Sequence, residues 1–394
     1  MQILSKVRRW FFDEELSNAP FDDMILFAAI LLAAIGIVMV YSASIAYANS
    51  DKFIHNQYYY LIRHIGYVTI GAVAGIIAFN VPTSFWQRNA PKIAAIVICL
   101  LVLVLIPHVG KAVNGSKRWI GIGLLSLQPS ELAKLGMAIY LSDYVCGRTL
   151  SFKRFWRDIV PILIAIGLVC GLLLLEPDMG SATVVFLIAL CILYMANIDR
   201  RFILGLTSTG VVGFVVLILI APYRMRRVLG FIDPWQDALG KGYQLTHSLL
   251  AVGHGGWFGV GIGNSIEKLF YLPEAHTDFI LAIIAEETGV LGIAIIVLLF
   301  WVIFYRGFIL IGTDTKNLAN RQFQSLLAQG ISVWFFAQAL VNIGVTIGIL
   351  PTKGLTLPFI SYGGSSILVS AIALAILLRI DYENRLIKRG FFVN

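Results

Sequence analysis

The chain has 394 residues, of which 58% are hydrophobic and only 13% are charged, against about 25% charged residues in an ordinary globular protein. A soluble protein of this length cannot hide so much apolar surface, so the composition excludes a soluble globular fold and predicts a membrane protein. The net charge of +8 does not indicate nucleic acid binding, since most Lys and Arg residues lie in loops between apolar segments.

Ten apolar segments follow one another along the chain, and a helix of about 20 residues is enough to cross a bilayer. The first segment is longer than the apolar region of a signal sequence, so we expect it to be an uncleaved span. The sequence therefore predicts an all-α polytopic membrane protein with a ten-helix membrane domain over 22–380, a cytoplasmic N-terminal segment over 1–21 and a cytoplasmic tail over 381–394. The predicted spans are 22–43, 61–80, 91–107, 128–146, 159–175, 179–196, 202–222, 277–305, 323–350 and 363–380.

Ten spans place both termini on the same side of the membrane. That side carries about 18 Lys and Arg residues and the short loops opposite carry about 6, which predicts that both termini are cytoplasmic. The long loop 223–276 then lies outside, and its many aromatic residues predict a folded segment, partly formed by short amphipathic helices on the membrane surface. The last three spans are rich in Gly and polar residues, which indicates that they line the interior of the bundle.

Two acids and a histidine lie close together where the outer loop enters the eighth span: Glu274, His276 and Asp278. A carboxylate that is partly buried at this boundary has a raised pKa and is suited to act as a general base. The structural alternative is that Thr277 caps the helix and Asp278 complements the positive end of its dipole. A metal site built from the acids and the histidine would require an extended backbone. Glu286, two helical turns further on, is expected to face the same cavity.

A second group of charged residues precedes and enters the fourth span. Lys117 and Arg118 follow an Asn-Gly turn signal, and Lys134 lies within the apolar segment, where a charge without a partner is costly. These three cations are suited to bind a phosphate-bearing ligand, with the guanidinium acting as a planar fork. The alternative is a structural ion pair between Lys134 and Glu131, three residues apart on one helix.

Two further segments have unusual composition. The glycine-rich run 253–265 lacks both the strand and the GxxxxGK[ST] pattern of a nucleotide site, so it predicts close backbone packing or approach to a ligand and no nucleotide cofactor. The segment 350–366 is predicted to be a re-entrant outer loop that closes over a cavity, with a plain turn as the alternative. The candidate substrate-binding residues are Lys117, Arg118, Lys134, Glu274, His276, Lys353 and Ser361.

Together these segments resemble the SEDS family of membrane proteins (shape, elongation, division and sporulation) over roughly residues 20–385. The stretch 231–235 and the following Gly242-Tyr243-Gln244-Leu245 are closer to the division members than to the elongation members. Ser126 departs from some relatives, which have an arginine there, and it receives no role. The motifs that carry the resemblance are Gln128-Pro129-Ser130-Glu131 with Lys134, Pro177-Asp178-Met179-Gly180, the stretch from Tyr271 to Phe279, and the stretch from Leu350 to Ser366.

The resemblance implies a peptidoglycan glycosyltransferase that polymerises lipid II, the undecaprenyl-pyrophosphate-linked disaccharide-pentapeptide, into β-1,4-linked glycan during septal wall synthesis. It implies that Asp278 is catalytic and that Lys134 is functionally required. A divalent cation, Mg²⁺ or Mn²⁺, could share the charge of the departing pyrophosphate, and no organic cofactor is implied. The implied partners are a class B penicillin-binding protein of the FtsI type and other division proteins, in the bacterial inner membrane at the septum.

Three other functions stay open on the sequence alone. A flippase that moves lipid II without chemistry would also need polar residues within the membrane, but it needs a path to both faces, whereas the candidate groups cluster at the outer end. An elongation polymerase would share the chemistry and differ in where it acts. A non-catalytic scaffold for the transpeptidase predicts that loss of Asp278 leaves division unaffected.

Overall fold

The computed structural model describes residues 20–50, 56–107, 109–113, 116–122, 125–148, 154–220, 222–240, 242–318, 321–352 and 354–391. Most of these residues are helical. The α-helices are α1 (Asp23–Ser50), α2 (Tyr59–Asn80), α3 (Thr83–Arg88), α4 (Ala90–Leu105), α5 (Pro129–Val145), α6 (Phe155–Asp158), α7 (Val160–Leu175), α8 (Met179–Met195), α9 (Arg200–Ile220), α10 (Pro222–Ile232), α11 (Tyr243–Gly255), α12 (Ile280–Phe304), α13 (Gly312–Asn317), α14 (Gln322–Thr346) and α15 (Gly364–Lys388).

All ten predicted spans coincide with helices, namely α1, α2, α4, α5, α7, α8, α9, α12, α14 and α15. Within the described residues, six of these helices are long and apolar enough to cross a membrane, and α4, α7 and α8 are shorter apolar helices of 16 or 17 residues. Neighbouring helices bury most side chains of α5, including those of Glu131 and Lys134. The all-α, multi-pass membrane fold is therefore confirmed.

The spans differ in how far protein surrounds them. Over an apolar stretch of 18 residues in each span, 72% of the residues are buried in α15 and 67% in α14, against 33% in the span Ile280–Thr315 that begins with α12 and 0% in α9. In α12 the buried residues are concentrated over 280–289, near its outer end. The prediction that the last spans line the interior is confirmed for α14 and α15, and it holds for α12 mainly in this first part.

A small antiparallel sheet lies between α4 and α5, in the order β1 (Gly110–Val113), β2 (Ser116–Ile122) and β3 (Leu125–Leu127). The helical prediction did not include this sheet. Its sequence signal is the pair Asn114-Gly115, which favours a hairpin when residues suited to strands flank it. As a consequence, the candidate residue Arg118 is carried by a strand.

The outer loop contains α10 and α11, and its glycine-rich run packs against α12. A Cβ added to Gly255 would lie 1.9 Å from the carbonyl oxygen of Ala285, so only glycine permits this approach. The backbone N–H of Val260 donates to the carbonyl oxygen of Glu286 (2.9 Å) near a break in α12, where Gly289 has a φ of +68°. Close backbone packing is therefore what this run does in the structure.

The carboxylate of Glu286 is occupied by the same loop. It accepts hydrogen bonds from the hydroxyl of Ser265 and from the backbone N–H of Ile266 (3.0 Å), and His254 Nδ1 lies 3.0 Å from it. The expectation that Glu286 faces the cavity beside Asp278 is wrong, because the outer loop folds back onto this turn of α12 and satisfies the carboxylate there.

The segment 350–366 re-enters the helix bundle, apart from position 353, which lies outside the described residues. Leu355 and Ile360 are 3% and 0% exposed. Gly36 of α1 allows this insertion, since a Cβ at that position would lie 2.8 Å from the Cα of Ile360. The prediction of a re-entrant loop is confirmed, and the plain-turn alternative is wrong.

Ion pairs with buried carboxylates join the helix ends on the cytoplasmic side. Glu383 of α15 accepts hydrogen bonds from Arg321, just before α14 (3.0 Å), and from Arg379 (2.9 Å). Asp22, just before α1, accepts from Arg306 Nε at 2.6 Å, and Arg306 lies in a π-helical segment that continues α12. These five residues, called the cytoplasmic network below, hold the cytoplasmic ends of α1, α12, α14 and α15.

Candidate active site at the outer face

Asp278 lies in the turn that leads from the outer loop into α12, and its side chain is partly exposed. The helix begins at Ile280 with Phe279 as its N-cap, and no side chain caps it. Thr277 donates instead to the backbone and the side chain of Glu274. The alternative in which Thr277 caps the helix is therefore wrong, and Asp278 precedes the first helical turn.

The backbone of Asp278 is tied to α14 and to the re-entrant segment by one amide side chain. Asn342 Nδ2 donates to the carbonyl oxygen of Asp278 (2.9 Å) and to that of Leu355 (2.6 Å). The carboxylate lies against the neighbouring backbone, since a Cβ added to Gly354 would be 2.6 Å from Asp278 Oδ2. The position of this carboxylate thus depends on Gly354, which lies against it, and on Asn342, which binds the backbone of Asp278.

One helical turn earlier on α14, Gln338 makes a second tie to the re-entrant segment. Its Nε2 donates to the carbonyl oxygen of Thr356 (2.7 Å), and its Oε1 accepts from Lys134 Nζ (2.8 Å) and Trp334 Nε1 (2.7 Å). Lys134 Nζ also donates to Glu131 at 2.8 Å, and the lysine side chain is fully buried. The structural ion pair proposed as the alternative to phosphate binding is therefore present, and Lys134 reaches the re-entrant segment through Gln338.

Sequence reasoning did not single out the amide pair of Gln338 and Asn342. Both are buried, at 1% and 2% exposure. The available signal is two amides four residues apart within an apolar span, where residues at this spacing share one face of the helix and polar groups need partners. Below, the outer site means Asp278, Gly354, the amide pair and Lys134.

Glu274 and His276 do not converge with Asp278 as metal ligands. The ring of His276 packs among tyrosines, with centroid distances of 4.8 Å to Tyr60 and 5.7 Å to Tyr362. Burial lowers the pKa of His276, and the carboxylate of Glu274 opposes this shift. No group of three His, Cys, Asp or Glu side chains that could hold a metal ion occurs among the described residues. The metal site considered from the sequence is not formed here.

Arg118 of β2 binds the turn between α7 and α8. Its Nε donates to the carbonyl oxygen of Glu176 (3.0 Å), and its Nη2 donates to that of Pro177 (2.6 Å). This turn adjoins the re-entrant segment, because a Cβ added to Gly180 would lie 2.6 Å from Leu355 Cγ. Arg118 therefore carries a positive charge to the same end of the bundle as Asp278.

The carboxyl group of Glu176 is buried within this turn. It is 1% exposed, and neither of its oxygens has a hydrogen-bond partner in the described part of the chain. Burial and the nearby carboxylate of Asp178 raise the pKa of Glu176 to about 8, although Arg118 opposes the shift. Glu176 is therefore mainly protonated at pH 7, while Asp178 caps α8 by accepting from the N–H of Ser181 (3.1 Å).

The remaining candidates divide into two kinds. Lys353 lies outside the described residues, and so does the side chain of Lys117. Ser361 is 1% exposed and its Oγ accepts from the N–H of Leu357 at 2.8 Å, so in this structure it shapes the re-entrant segment. The candidate and newly found residues brought together around that segment are Arg118, Lys134, Gln338, Asn342 and Asp278.

The partly exposed carboxylate of Asp278 and the guanidinium of Arg118 lie at the same end of the bundle. A carboxylate whose backbone is fixed in this way can accept a proton from a hydroxyl group without first being reoriented. A positive charge already in position can stabilise negative charge as it develops on a leaving group. The arrangement suits a displacement reaction on a charged substrate that reaches the outer membrane boundary.

Comparison with known proteins places these observations in a wider group. A family model for FtsW, RodA and SpoVE, described as a cell cycle protein, matches residues 22–386. The probable peptidoglycan glycosyltransferase FtsW of Burkholderia thailandensis is 49% identical over 373 residues, which are 94% of this chain and 80% of that protein. The protein of the same name from Nitrosomonas europaea is 47% identical, covering 94% of this chain and 95% of that protein.

Two solved structures are similar in fold. A chain from a structure described as the structural coordination of polymerization and crosslinking by a peptidoglycan synthase complex is 28% identical, with a TM-score of 0.74 over 92% of this chain and 98% of that chain. The rod shape determining protein RodA of Thermus thermophilus is 26% identical, with a TM-score of 0.66 over 93% of this chain and 97% of that chain. The similarity therefore covers the membrane domain and the outer loop together.

Proposed function

This chain belongs to the FtsW/RodA/SpoVE family of cell cycle proteins, and we propose that it polymerises lipid II into β-1,4-linked glycan strands at the outer face of the cytoplasmic membrane. It is a peptidoglycan glycosyltransferase, the activity for which its relatives are named. The observation that carries the proposal is Asp278 at the outer end of the bundle, partly exposed, with its backbone bound by Asn342 and its carboxylate beside Gly354.

Asp278 is the general base in this reaction. Its carboxylate takes the proton of the 4-hydroxyl of the acceptor sugar as that oxygen attacks C1 of the growing chain. The bond between C1 and the pyrophosphate oxygen breaks, and undecaprenyl pyrophosphate leaves with the electron pair. Attack from the opposite side inverts the configuration at C1 and gives the β linkage. Arg118 offsets charge on the departing pyrophosphate, whereas the buried Lys134 acts by holding Gln338.

A lipid II flippase is the principal rival function. A transporter needs a path that opens to both faces of the membrane. In the structure, the cytoplasmic network joins the inner helix ends, and the groups suited to chemistry lie at the opposite end. This asymmetry favours an enzyme that works at one face of the membrane.

We propose a division role and a partner, both of which the relatives support. The chain is more similar to proteins named FtsW than to RodA, which supports septal rather than elongation synthesis. The similar chain from a peptidoglycan synthase complex supports assembly with a class B penicillin-binding protein of the FtsI type. We propose that the protein acts at the division septum of the inner membrane, together with other division proteins.

A divalent cation stays a prediction. The described residues provide no cluster of three ligands, and Mg²⁺ commonly binds through one or two carboxylates and the phosphates of a substrate. The mechanism above therefore uses only side chains of this chain. Chelation followed by return of Mg²⁺ or Mn²⁺ to the polymerisation assay tests whether a cation is required.

The test is polymerisation of labelled lipid II by the purified protein in detergent, where no two compartments exist and transport cannot be registered. The parent protein is expected to form glycan strands, and Asp278→Asn to lose about 10²–10⁴-fold in rate while folding normally. The matched control is Asp237→Asn, which changes an exposed carboxylate of the same outer loop. Normal synthesis by Asp278→Asn would refute the assigned role, and no strands from the parent protein would leave transport as the better explanation.

A further inference from the structure

A groove of about 350 Å³ lies between α4, α5 and α7, away from the residues of the outer site. Its walls include small side chains such as Ala94, Ala95 and Ala165, and Gly136 lets α4 and α5 approach closely beside it. Among the described residues that line the groove, only Tyr140 carries a polar side-chain group. An apolar space of this kind does not hold ordered water and offers no hydrogen bonds to a sugar.

The depth of the groove matches one leaflet of the bilayer. Pro91 and Pro161, the second residues of α4 and α7, mark its cytoplasmic end. The deepest lining residues on these helices, Ile98 and Val169, lie seven and eight residues further, or roughly 10–12 Å at the helical rise. Half of the hydrocarbon thickness of a bilayer is about 15 Å. The groove therefore runs from the cytoplasmic surface to near the middle of the membrane.

The depth of the groove distinguishes between two kinds of apolar occupant, a helix of a partner protein and an acyl chain. A spanning helix of a partner protein would have to lie along the full thickness of the membrane, about 30 Å, whereas the groove ends near its middle. An acyl chain of a lipid in the cytoplasmic leaflet has the matching length and chemistry. An empty groove would lose the dispersion contacts of its lining, and an acyl chain restores them.

Positive charges lie next to the residues that mark the cytoplasmic end. Lys92 follows Pro91 on α4, and Arg157 lies one helical turn before Pro161; both side chains are exposed. Trp156, beside Arg157, is 81% exposed, as expected of an aromatic anchor at a membrane surface. We propose that the groove binds an anionic phospholipid of the cytoplasmic leaflet, with one acyl chain between α4, α5 and α7 and the phosphate beside Lys92 and Arg157.

The proposal is tested by native mass spectrometry of the purified protein in detergent with phosphatidylglycerol or phosphatidylethanolamine added. The parent protein is expected to retain phosphatidylglycerol in preference. Ala95→Phe fills the groove and should lower this retention about tenfold, the loss expected when about two methylene groups are no longer buried. The matched control is Ile96→Phe, the next residue on α4, which is exposed to lipid outside the groove and should retain the lipid as the parent does.

The headgroup contact is tested separately by Lys92→Gln, which should remove most of the preference for phosphatidylglycerol without lowering total lipid retention. Melting temperatures of the variants in lipid-free detergent show whether they fold. If Ala95→Phe does not fold, Ala165→Phe fills the groove from α7 and takes its place in the comparison. Equal retention by Ala95→Phe and Ile96→Phe, or equal binding of the two phospholipids by the parent, would overturn the proposal. These measurements do not use polymerase activity, so their outcome is independent of the proposed function.

Discussion

The two ends of the helix bundle use buried polar residues in different ways. In the cytoplasmic network, Glu383 and Asp22 are bound by arginines at 2.6–3.0 Å. At the outer site, amide side chains bind backbone carbonyl oxygens, and Lys134 reaches the re-entrant segment through Gln338. Buried ion pairs occur at both ends, including Lys134–Glu131 and Lys268–Glu287 towards the outer face. What differs is the tie itself: arginine–carboxylate pairs join helices in the cytoplasmic network, whereas amide hydrogen bonds join α14 to a loop at the outer site.

The difference follows from what each end must hold. Removing one partner of a buried ion pair costs roughly 3–5 kcal/mol, because the other charge is left buried without a counter-charge. The residues of the cytoplasmic network therefore depend on one another. A reacting carboxylate needs a fixed position together with access for the substrate. Binding the backbone of Asp278 through Asn342 fixes its position while leaving the side chain partly exposed.

The sharpest test of the outer site is to add a single methyl group next to Asp278. Gly354→Ala would place a Cβ 2.6 Å from Asp278 Oδ2 and displace the carboxylate. A shift of about 1 Å in a reacting group can cost about 10²-fold, so kcat for polymerisation should fall by that order. The matched control is Gly363→Ala in the same segment, where the new Cβ would make ordinary contacts at 3.6 Å and activity should be kept. Equal activity of the two variants would show that Asp278 has more freedom than the structure gives it.

The comparison between the ends can be made with one substitution at two buried asparagines. Asn342→Leu removes the donor to the carbonyl oxygens of Asp278 and Leu355, and we expect kcat to fall by about ten- to a hundred-fold. Asn384→Leu removes a bond to the hydroxyl of Thr315 (2.6 Å) near the cytoplasmic end, and it should lower stability by about 1–3 kcal/mol while the folded protein keeps its kcat. Activity per folded molecule and the melting temperature separate the two effects. A similar loss of kcat in both variants would erase the distinction between the ends.

Lys134 connects the two kinds of interaction, since it is ion-paired to Glu131 and also bonded to Gln338. Lys134→Met should lower the melting temperature, because it leaves Glu131 buried without its cation, and should lower kcat about tenfold by releasing Gln338. The double variant Glu131→Gln/Lys134→Met should recover much of the melting temperature and little of kcat. Full recovery of kcat would reduce Lys134 to a structural ion pair, and a rise in KM alone would return it to direct substrate binding.

The sequence predicted much of this architecture because apolar length and charge asymmetry are strong local signals. All ten spans coincide with helices, and the re-entrant segment 350–366 was recognisable because prolines and glycines interrupt an apolar run. The sheet around Arg118 was not predicted, since its strands are short and lie among spans. Asp278 and Lys134 were both singled out, as an acid at a membrane boundary and a cation within a span.

What the sequence could not supply was the set of long-range contacts. Gln338 and Asn342 bond to carbonyl oxygens 18 and 13 residues away, and no periodicity indicates which backbone group a buried amide will meet. Glu286 was placed in the wrong surroundings for the same reason, because the loop that satisfies it begins about 20 residues earlier in the chain. The local sequence pattern identifies polar residues that are costly to bury, and the tertiary structure determines which groups form hydrogen bonds with them.

The smallest effect on kcat is expected from Glu176, whose substitution acts on stability. In the described part of the chain its buried carboxyl group is bound by neither an arginine nor an amide. Its pKa is raised from 4.5 to about 8, so between these values the folded protein holds a proton that the unfolded chain has released. Stability should therefore fall as pH rises from about 4.5 to about 8 and become independent of this group above that range. Glu176→Gln removes the ionisation, so its melting temperature relative to the parent should increase across this window and then level off. A constant difference across the window would mean that Glu176 is ionised in the folded protein and that a cation pairs with it there, as at the cytoplasmic end.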